Sequence, residues 1–163
     1  MDIYLLRHGI AEDGEAGQSD SERPLTAEGR KKLRTVLRVA AAADVVPTLI
    51  LTSPLRRAVQ SAQLAADVLG YKGNLLRTKA LEPASAPKSV WEEIRVHKDE
   101  PRILLAGHEP LFSRLTAYLL GSPNLQIDFK KGAIACVEID RFPSEPHGAL
   151  RWLLTPKLAA SQS

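Results

Sequence analysis

Three segments of the chain bring arginine and histidine side chains to the ends of apolar runs. Arg7 and His8 directly follow the apolar residues 3–6, and His108 follows a second apolar run. Arg57 comes shortly after a third run. A guanidinium group can bind two phosphate oxygens at once, and an imidazole can act as a nucleophile or carry a proton. These residue types, brought together by the fold, would suit chemistry on a phosphoryl group.

The elements that must position these residues alternate along the chain. Apolar runs predict buried strands at residues 2–6, 48–52, 75–77 and 102–106. Helices are predicted at residues 26–43, 53–69, 88–97 and 110–120. This alternation indicates an α/β fold with a mostly parallel central sheet flanked by helices. Ligands bind such sheets beyond the carboxyl ends of the strands, so we expect the three segments to share one cleft.

Residues at helix ends give further local expectations. Thr26 is predicted to be the N-cap of the first helix. Ser53 is predicted to be the N-cap of the second helix, with Pro54 at its first position and Gly70 at its end. The polar residues 11–24 are expected to form a mobile surface loop over the cleft.

The last third of the chain has a different pattern. Residues 133–139 and 150–154 are predicted to form an antiparallel strand pair. Residues 159–163 are expected to be a frayed tail, which leaves one domain over residues 1–158. A chain of 163 residues suits a single domain whose sheet is covered on both faces.

The composition is that of an ordinary soluble globular protein, with 44% hydrophobic and 25% charged residues. No apolar run approaches the roughly 18 residues that a membrane-spanning helix needs. Residues 1–4 include an acid and no base, unlike a secretory signal. The one cysteine, Cys136, is expected to be buried. We therefore expect a cytoplasmic protein that does not bind membranes.

The charge balance favours an anionic substrate over a nucleic acid. The net charge is +3, from 22 basic and 19 acidic residues, and 5% of the residues are aromatic. Nucleic-acid binding would call for a clustered basic stripe, often with stacking aromatic side chains. The densest basic group, within residues 30–38, falls on a predicted helix and is interpreted as a solvated face. No nucleic-acid partner is expected.

Several motifs, in their order along the chain, resemble the histidine phosphatase superfamily, which includes the cofactor-dependent phosphoglycerate mutases. They are Arg7-His8-Gly9, Ser53-Pro54-Leu55-Arg56-Arg57-Ala58 and Gly107-His108. The small size and further segments resemble the SixA-like phosphohistidine phosphatases within it. These segments are Arg23-Pro24-Leu25-Thr26, Gly107-His108-Glu109-Pro110 and Trp152-Leu153-Leu154-Thr155-Pro156. The resemblance covers nearly the whole chain and implies a three-layer phosphoglycerate mutase-like fold.

The resemblance also implies a mechanism and a set of site residues. His8 would attack phosphorus and form a covalent phosphohistidine intermediate, which water then hydrolyses. The phosphoryl oxygens would be bound by Arg7, Arg57 and His108. No metal or other cofactor is implied, and the substrate of this monomeric enzyme would be a phosphohistidine-containing protein. A site with one of these two neighbouring arginines agrees with helix geometry, because Arg56 and Arg57 point about 100° apart and only one of them can face the cleft.

Two residues keep alternative roles. Larger members of the superfamily carry a general acid in the loop after the third strand, where this chain has Glu82. Glu82 is therefore the candidate catalytic proton donor. Protonation by solvent is the alternative, because an imidazole that can be protonated is a good leaving group. Arg23 would either reach the phosphate or hold the loop of residues 11–24.

The sequence is compatible with three functions. The leading one is metal-independent hydrolysis of phosphohistidine in a protein, because a short chain without large insertions is expected to have an open cleft. The first alternative is a phosphatase of a small phosphate ester. The second is a catalytically inactive, phosphate-binding regulatory module.

Overall fold

The apolar runs of the sequence form a six-stranded β-sheet in the computed structural model, which describes residues 1–162. The strands are β1 (Asp2–Arg7), β2 (Leu49–Thr52), β3 (Leu75–Arg77), β4 (Arg102–Gly107), β5 (Ile134–Glu138) and β6 (Ala149–Leu154). Their order across the sheet is β3-β2-β4-β1-β5-β6. The pairs β3–β2, β2–β4 and β4–β1 are parallel, whereas β5 runs antiparallel to both β1 and β6. The predicted fold class and the predicted C-terminal strand pair are confirmed.

Helices cover both faces of this sheet. They are α1 (Ala27–Ala42), α2 (Arg56–Leu69), α3 (Pro87–Val96), α4 (Leu111–Leu119) and α5 (Pro156–Ala160). Two short 3₁₀ turns, Asp20–Glu22 and Lys79–Leu81, interrupt the loops. Among residues 1–162, no helix has both the length and the apolar character to cross a membrane.

Side chains of β1 alternate between two apolar clusters, one on each face. Ile3 and Leu5 pack in a cluster that includes Trp91 of α3 and residues of α4. Tyr4 and Leu6 pack in the opposite cluster, which includes residues of α1 and α2. Burying one such side chain stabilises the fold by about 1.5–3 kcal/mol. Because β1 is buried on both faces, the residues that follow it are held on a rigid element.

Of the N-caps predicted for the two helices nearest the cleft, one is present in the structure and the other is not. The hydroxyl of Thr26 accepts a hydrogen bond from the Gly29 N–H at 2.8 Å, which confirms the predicted N-cap of α1. The prediction that Ser53 caps a helix starting at Pro54 is wrong, because α2 begins at Arg56. The Ser53 hydroxyl lies within hydrogen-bond distance of a distant histidine and accepts from the Leu55 N–H, so residues 53–55 form a turn before the helix.

The C-terminal segment is more ordered than the sequence predicts. The expected frayed tail begins at Ala159, yet α5 extends to Ala160 and Ala159 is fully buried. Thr155 caps this helix by accepting from the Leu158 N–H at 3.2 Å. Ala159 belongs to the same apolar cluster as Leu33 of α1, which explains its burial. Ser163, the last residue of the expected tail, lies outside the described residues.

Two other expectations concern single elements. Cys136 is buried in β5 and is not part of a disulfide, as predicted. The polar loop of residues 11–24 contains the first 3₁₀ turn, and a bridge pairs Ala11 with Leu25 at its two ends. This turn places Asp20 next to α2, where its carboxylate accepts a hydrogen bond from Arg57.

Candidate active site

Two histidines lie side by side at the carboxyl ends of β1 and β4. These strands are neighbours in parallel register, with Arg7 opposite Gly107, so His8 and His108 emerge next to each other. Their ring centroids are 5.0 Å apart, and the rings are tilted by 57°. The exposed fractions are 7% for His8 and 1% for His108. The fold thus brings together two residues that are far apart in the sequence.

The hydrogen bond at His8 determines which ring nitrogen carries the proton. His8 Nδ1 lies 2.7 Å from the carbonyl oxygen of Gly9. A carbonyl oxygen can only accept, so Nδ1 carries the hydrogen and Nε2 keeps a free lone pair. Burial lowers the pKa of His8 to about 4, although the bond to Gly9 opposes this, and the charges of Arg57, Arg7 and Lys131 lower it further. At neutral pH the ring is therefore uncharged, as a nucleophile must be.

His108 has the opposite arrangement of its ring nitrogens. Its Nε2 lies 2.8 Å from the Ser53 hydroxyl oxygen, which also accepts a hydrogen bond from the Leu55 N–H at 3.3 Å. Ser53 is fully buried, and among residues 1–162 His108 Nε2 is the one acceptor within hydrogen-bond distance of its hydroxyl, so we assign the hydroxyl proton to this bond. The proton of the neutral imidazole therefore resides on Nδ1. That nitrogen is buried without a hydrogen-bond partner in the described structure, and it can donate to an oxygen of a bound phosphoryl group.

Burial also keeps His108 uncharged. It lowers the pKa of His108 to about 3, and the neighbouring His8 and Arg57 lower it further. The site consequently holds two neutral imidazoles beside two guanidinium groups. A phosphoryl group entering this site would be bound by cations and by one imidazole N–H.

Arg57 faces the site from the first turn of α2, and Arg56 does not. Arg57 is 5% exposed, whereas Arg56 lies on the exposed face of the helix, 3.4 Å from the Glu22 carbonyl oxygen. The guanidinium of Arg57 donates to the main-chain oxygen of Asp20 at 3.0 Å and to its carboxylate at 3.2 Å. Burial lowers the pKa of Arg57, and the Asp20 carboxylate opposes this effect. Only one of the two arginines faces the site, as helical geometry predicts, and it is Arg57, as the resemblance to the family implies.

Arg7 is the last residue of β1, directly before His8, and is held by a contact with the segment before β5. It donates from Nη1 to the main-chain oxygen of Phe129 at 2.6 Å, while its buried Nε has no partner among the described residues. Burial lowers the pKa of Arg7, and the charges of Glu109 and Asp128 oppose that shift. The sequence identified Arg7 but not Glu109, whose carboxylate accepts from the Ser113 N–H at 2.6 Å at the start of α4.

Arg23 and Asp20 link the polar loop to the site. Arg23 donates to the Asp20 carboxylate at 2.9 Å and to the Glu12 carbonyl oxygen at 3.1 Å. Two roles were predicted for Arg23: binding the phosphate or holding the loop of residues 11–24. The structure shows the contact with the loop. Desolvation acts to raise the pKa of Asp20, but the hydrogen bond from Arg23 and the charge of Arg57 outweigh it and lower that pKa. Asp20 is thus a carboxylate, and it was missed because its contact with Arg57 spans 37 residues.

Glu82 lies at the end of the second 3₁₀ turn, half-buried, in the loop that follows β3. Its main-chain N–H donates to the Lys79 carbonyl oxygen at 3.1 Å. Within residues 1–162, its carboxylate makes no hydrogen bond or ion pair with the four clustered side chains. Its role as proton donor stays a prediction.

Ser61 joins the two sides of the site and was not singled out in the sequence. Its hydroxyl donates to the Arg57 carbonyl oxygen at 2.8 Å and accepts from the Gly9 N–H at 3.2 Å. The spacing of four residues from Arg57 is the signal that could have identified it, because a serine hydroxyl often bonds the carbonyl one turn earlier. This link fixes α2 against the turn that carries His8.

Within residues 1–162, no group of three or more His, Cys, Asp or Glu side chains is arranged to hold a metal ion. The four clustered side chains supply a neutral imidazole with a free lone pair, together with arginine and imidazole donors. Such a set can accept a phosphoryl group and stabilise the charge on its oxygens.

Comparisons with known proteins agree with this chemistry. The family model described as "Histidine phosphatase superfamily (branch 1)" matches residues 3–82. An uncharacterised protein of Picosynechococcus sp. is 32% identical over 136 residues, which cover 82% of each chain. Phosphohistidine phosphatase SixA of Escherichia coli K12 is 27% identical over 158 residues, covering 96% of this chain and 94% of SixA. A solved structure of the protein histidine phosphatase SixA with tungstate has a TM-score of 0.86 at 28% identity, covering 96% and 98% of the two chains.

Proposed function

Because the chain belongs to the histidine phosphatase superfamily and is a phosphatase, we propose that it removes the phosphoryl group from phosphohistidine in a protein. The relatives named SixA, which match nearly the full length of the chain, support this substrate class. The observation that carries the proposal is the His8 ring: its proton is held on Nδ1, it lies 5.0 Å from the His108 ring, and it is within reach of the charges of Arg57 and Arg7.

The first step of the proposed reaction is transfer of the phosphoryl group to His8. The Nε2 lone pair attacks phosphorus in line with the bond to the leaving imidazole. An N–P bond to His8 forms while the N–P bond of the substrate breaks, and its electron pair returns to the substrate nitrogen, which takes a proton from solvent. In the second step water attacks the phosphorylated His8, so inorganic phosphate leaves and Nε2 regains its lone pair.

The arginines and His108 stabilise the charge of the phosphoryl oxygens in both steps. Guanidinium groups of Arg7 and Arg57 supply positive charge, and the Nδ1–H of His108 supplies a neutral donor. Arg57 already binds one anion, the Asp20 carboxylate, at 3.2 Å. An incoming phosphoryl group therefore meets an arginine that is oriented by the Asp20 loop.

An imidazole leaving group explains how the reaction proceeds without a clustered acid. Departing imidazole nitrogen can be protonated from water, whereas an alkoxide is far more basic and depends on a donor. Glu82 makes no contact with the clustered side chains in the described structure. The arrangement therefore favours phosphohistidine over a small phosphate ester, the second candidate substrate.

The test is a comparison of kcat/KM for phosphohistidine in a protein or peptide with kcat/KM for sugar phosphates and nucleotides. We expect phosphohistidine to be preferred and His8→Ala to abolish turnover. Brief incubation with labelled substrate should trap acid-labile, alkali-stable label on wild-type protein and none on His8→Ala. A strong preference for sugar phosphates would contradict the proposed substrate, and normal turnover by His8→Ala would contradict the proposed nucleophile.

A further inference from the structure

Four lysines surround a concavity of about 540 Å³ on the surface, which we call the lysine cleft. Its lining consists of Lys32, Lys130, Lys131, Lys157, Thr155, Pro156 and Ala160. The lysines come from three parts of the chain: α1, the segment before β5, and α5. All four lysines are exposed. The four lysine charges around this concave surface attract anionic groups.

The lysine cleft adjoins the active site through the segment before β5. The main-chain N–H of Gly132, next to Lys131, donates to the carbonyl oxygens of His8 at 3.0 Å and of Arg7 at 3.2 Å. On its other side Gly132 lies against Pro156, since a Cβ placed on it would be 3.4 Å from the Pro156 ring. Lys131 is close enough for its charge to lower the pKa of His8. The lysine cleft therefore lies next to the turn that carries His8, within the area that a protein bound at His8 can contact.

The charges of the lysine cleft are only partly neutralised. Lys32 pairs with Glu28 at 3.0 Å, and Lys130 pairs with Asp128 at 3.1 Å. Lys131 and Lys157 have no carboxylate within 4.0 Å among residues 1–162. Two uncompensated positive charges thus lie in the cleft next to the His8 turn, where they repel a basic partner and attract an acidic one.

We propose that the lysine cleft binds an acidic segment of the protein that carries the phosphohistidine. This inference rests on the proposed function and adds a second recognition element to it: the phosphoryl group is bound by the arginines, and the surrounding polypeptide is selected by its charge. Exposed complementary charges act mainly on the association rate and on the choice of partner, and their effect decreases with salt.

Two synthetic peptides of about 15 residues would test this, each with one central phosphohistidine. One carries Asp and Glu on both sides of the histidine, and the other carries Asn and Gln. An extended peptide of this length spans up to about 50 Å, enough to cover the site and its surroundings. At low salt we expect kcat/KM to be about tenfold higher for the acidic peptide, and we expect high salt to remove the preference.

A pair of double variants separates the lysine cleft from net charge. Lys131→Gln/Lys157→Gln removes its two unpaired charges, and Lys72→Gln/Lys98→Gln removes two exposed charges near the carboxyl ends of α2 and α3. The ratio of kcat/KM for the acidic and neutral peptides should fall to about one in the first variant and stay at the wild-type value in the second. An unchanged ratio in the first variant, or an equal loss in both, would overturn the inference. Equal hydrolysis of both peptides by wild type would overturn the inference alone, and hydrolysis of neither would overturn the proposed function and the inference with it.

Discussion

His8 and His108 have parallel positions in the sheet but different chemistry, because each ring has a different hydrogen-bond partner. The Gly9 carbonyl holds the proton of His8 on Nδ1 and leaves a free lone pair on Nε2. The Ser53 hydroxyl donates to Nε2 of His108, so the ring proton of His108 is on Nδ1, which is left as a donor. One ring can thus attack phosphorus while the other binds an oxygen of the same group.

The role of Ser53 leads to a prediction about the tautomer of His108. Ring ¹⁵N NMR should find the proton on Nδ1 in the wild type and a mixture of tautomers in Ser53→Ala. Because a smaller fraction of His108 then presents a donor to the phosphoryl group, kcat/KM should fall by about tenfold. Thr116→Val is the matched control, since it removes another buried hydroxyl, one that donates to the Phe112 carbonyl oxygen. A proton on Nε2 in the wild type would refute the assignment.

The contrast between Arg57 and Arg56 gives a second prediction. Arg57→Ala should lower kcat/KM by about thirty- to a thousandfold, because removing one donor from a charge-stabilising site costs roughly 2–4 kcal/mol in the transition state. Arg56→Ala is the control, because its side chain lies outside the site. Steady-state kinetics of the two variants measure both values of kcat/KM. A larger loss in Arg56→Ala would mean that α2 presents its other face to the substrate.

Single residues were predictable from the sequence where the signal was local. Helical geometry predicts that only one of Arg56 and Arg57 faces the cleft, and the resemblance to the family selects Arg57. Thr26 is predictable from its place before a helix. Ser53 was wrongly assigned to a helix cap, because its partner His108 is 55 residues away. The contact between Asp20 and Arg57 was missed for the same reason. Side-chain pairs made by the tertiary fold carry no signal in the spacing of residues.

At the scale of elements, the strands and helices were predictable because each has its own periodicity and end signals. The alternation of apolar runs and helices predicted the parallel part of the sheet. It thereby predicted that the site lies at the edge formed by the carboxyl ends of the parallel strands. The tail was not predictable, because Ala159 is buried by packing against α1 rather than by any feature of residues 159–163. Order there depends on a distant element.

The packing of α1 against the turn after β1 gives a prediction at this scale. A Cβ on Gly29 would overlap the carbonyl oxygen of Ile10, so the helix and the turn that follows His8 could not keep their present distance. Gly29→Ala should reduce the free energy of unfolding by about 2 kcal/mol or more, measured by urea denaturation. In Gly14→Ala the nearest atom is a side-chain carbon of Arg23 at 3.6 Å, so this control should be nearly neutral. Equal stabilities of the two variants would contradict the tight packing.

For the whole molecule, the two buried histidines make stability depend on pH. Both pKa values lie below the ordinary value of 6.5, at about 4 for His8 and about 3 for His108. Between pH 6.5 and about 4 the unfolded chain therefore binds protons that the folded protein does not, and folding stability falls as the pH falls. One pKa unit corresponds to about 1.4 kcal/mol, so the combined loss is expected to reach several kcal/mol.

Urea denaturation at a series of pH values measures this dependence. His8→Gln/His108→Gln should lose less stability than the wild type between pH 6.5 and 4, because its folded state no longer excludes those protons. Thr116→Val, which replaces a buried side chain without a titratable group, should show the same dependence on pH as the wild type. If the double variant has the same slope as the wild type, the two histidines titrate alike in the folded and unfolded chains.

The position of β1 inside the sheet has a consequence for the order of assembly. This strand pairs with β4 on one side and with β5 on the other, so its hydrogen bonds require residues up to Glu138. Pairings between such distant parts of a chain form slowly, because the intervening loop must close first. During synthesis, the strand that precedes His8 leaves the ribosome before β4 and β5, and it completes its pairing only after both have been made. A nascent chain that stops before β4 has no second histidine, so activity can arise only after most of the polypeptide has been made.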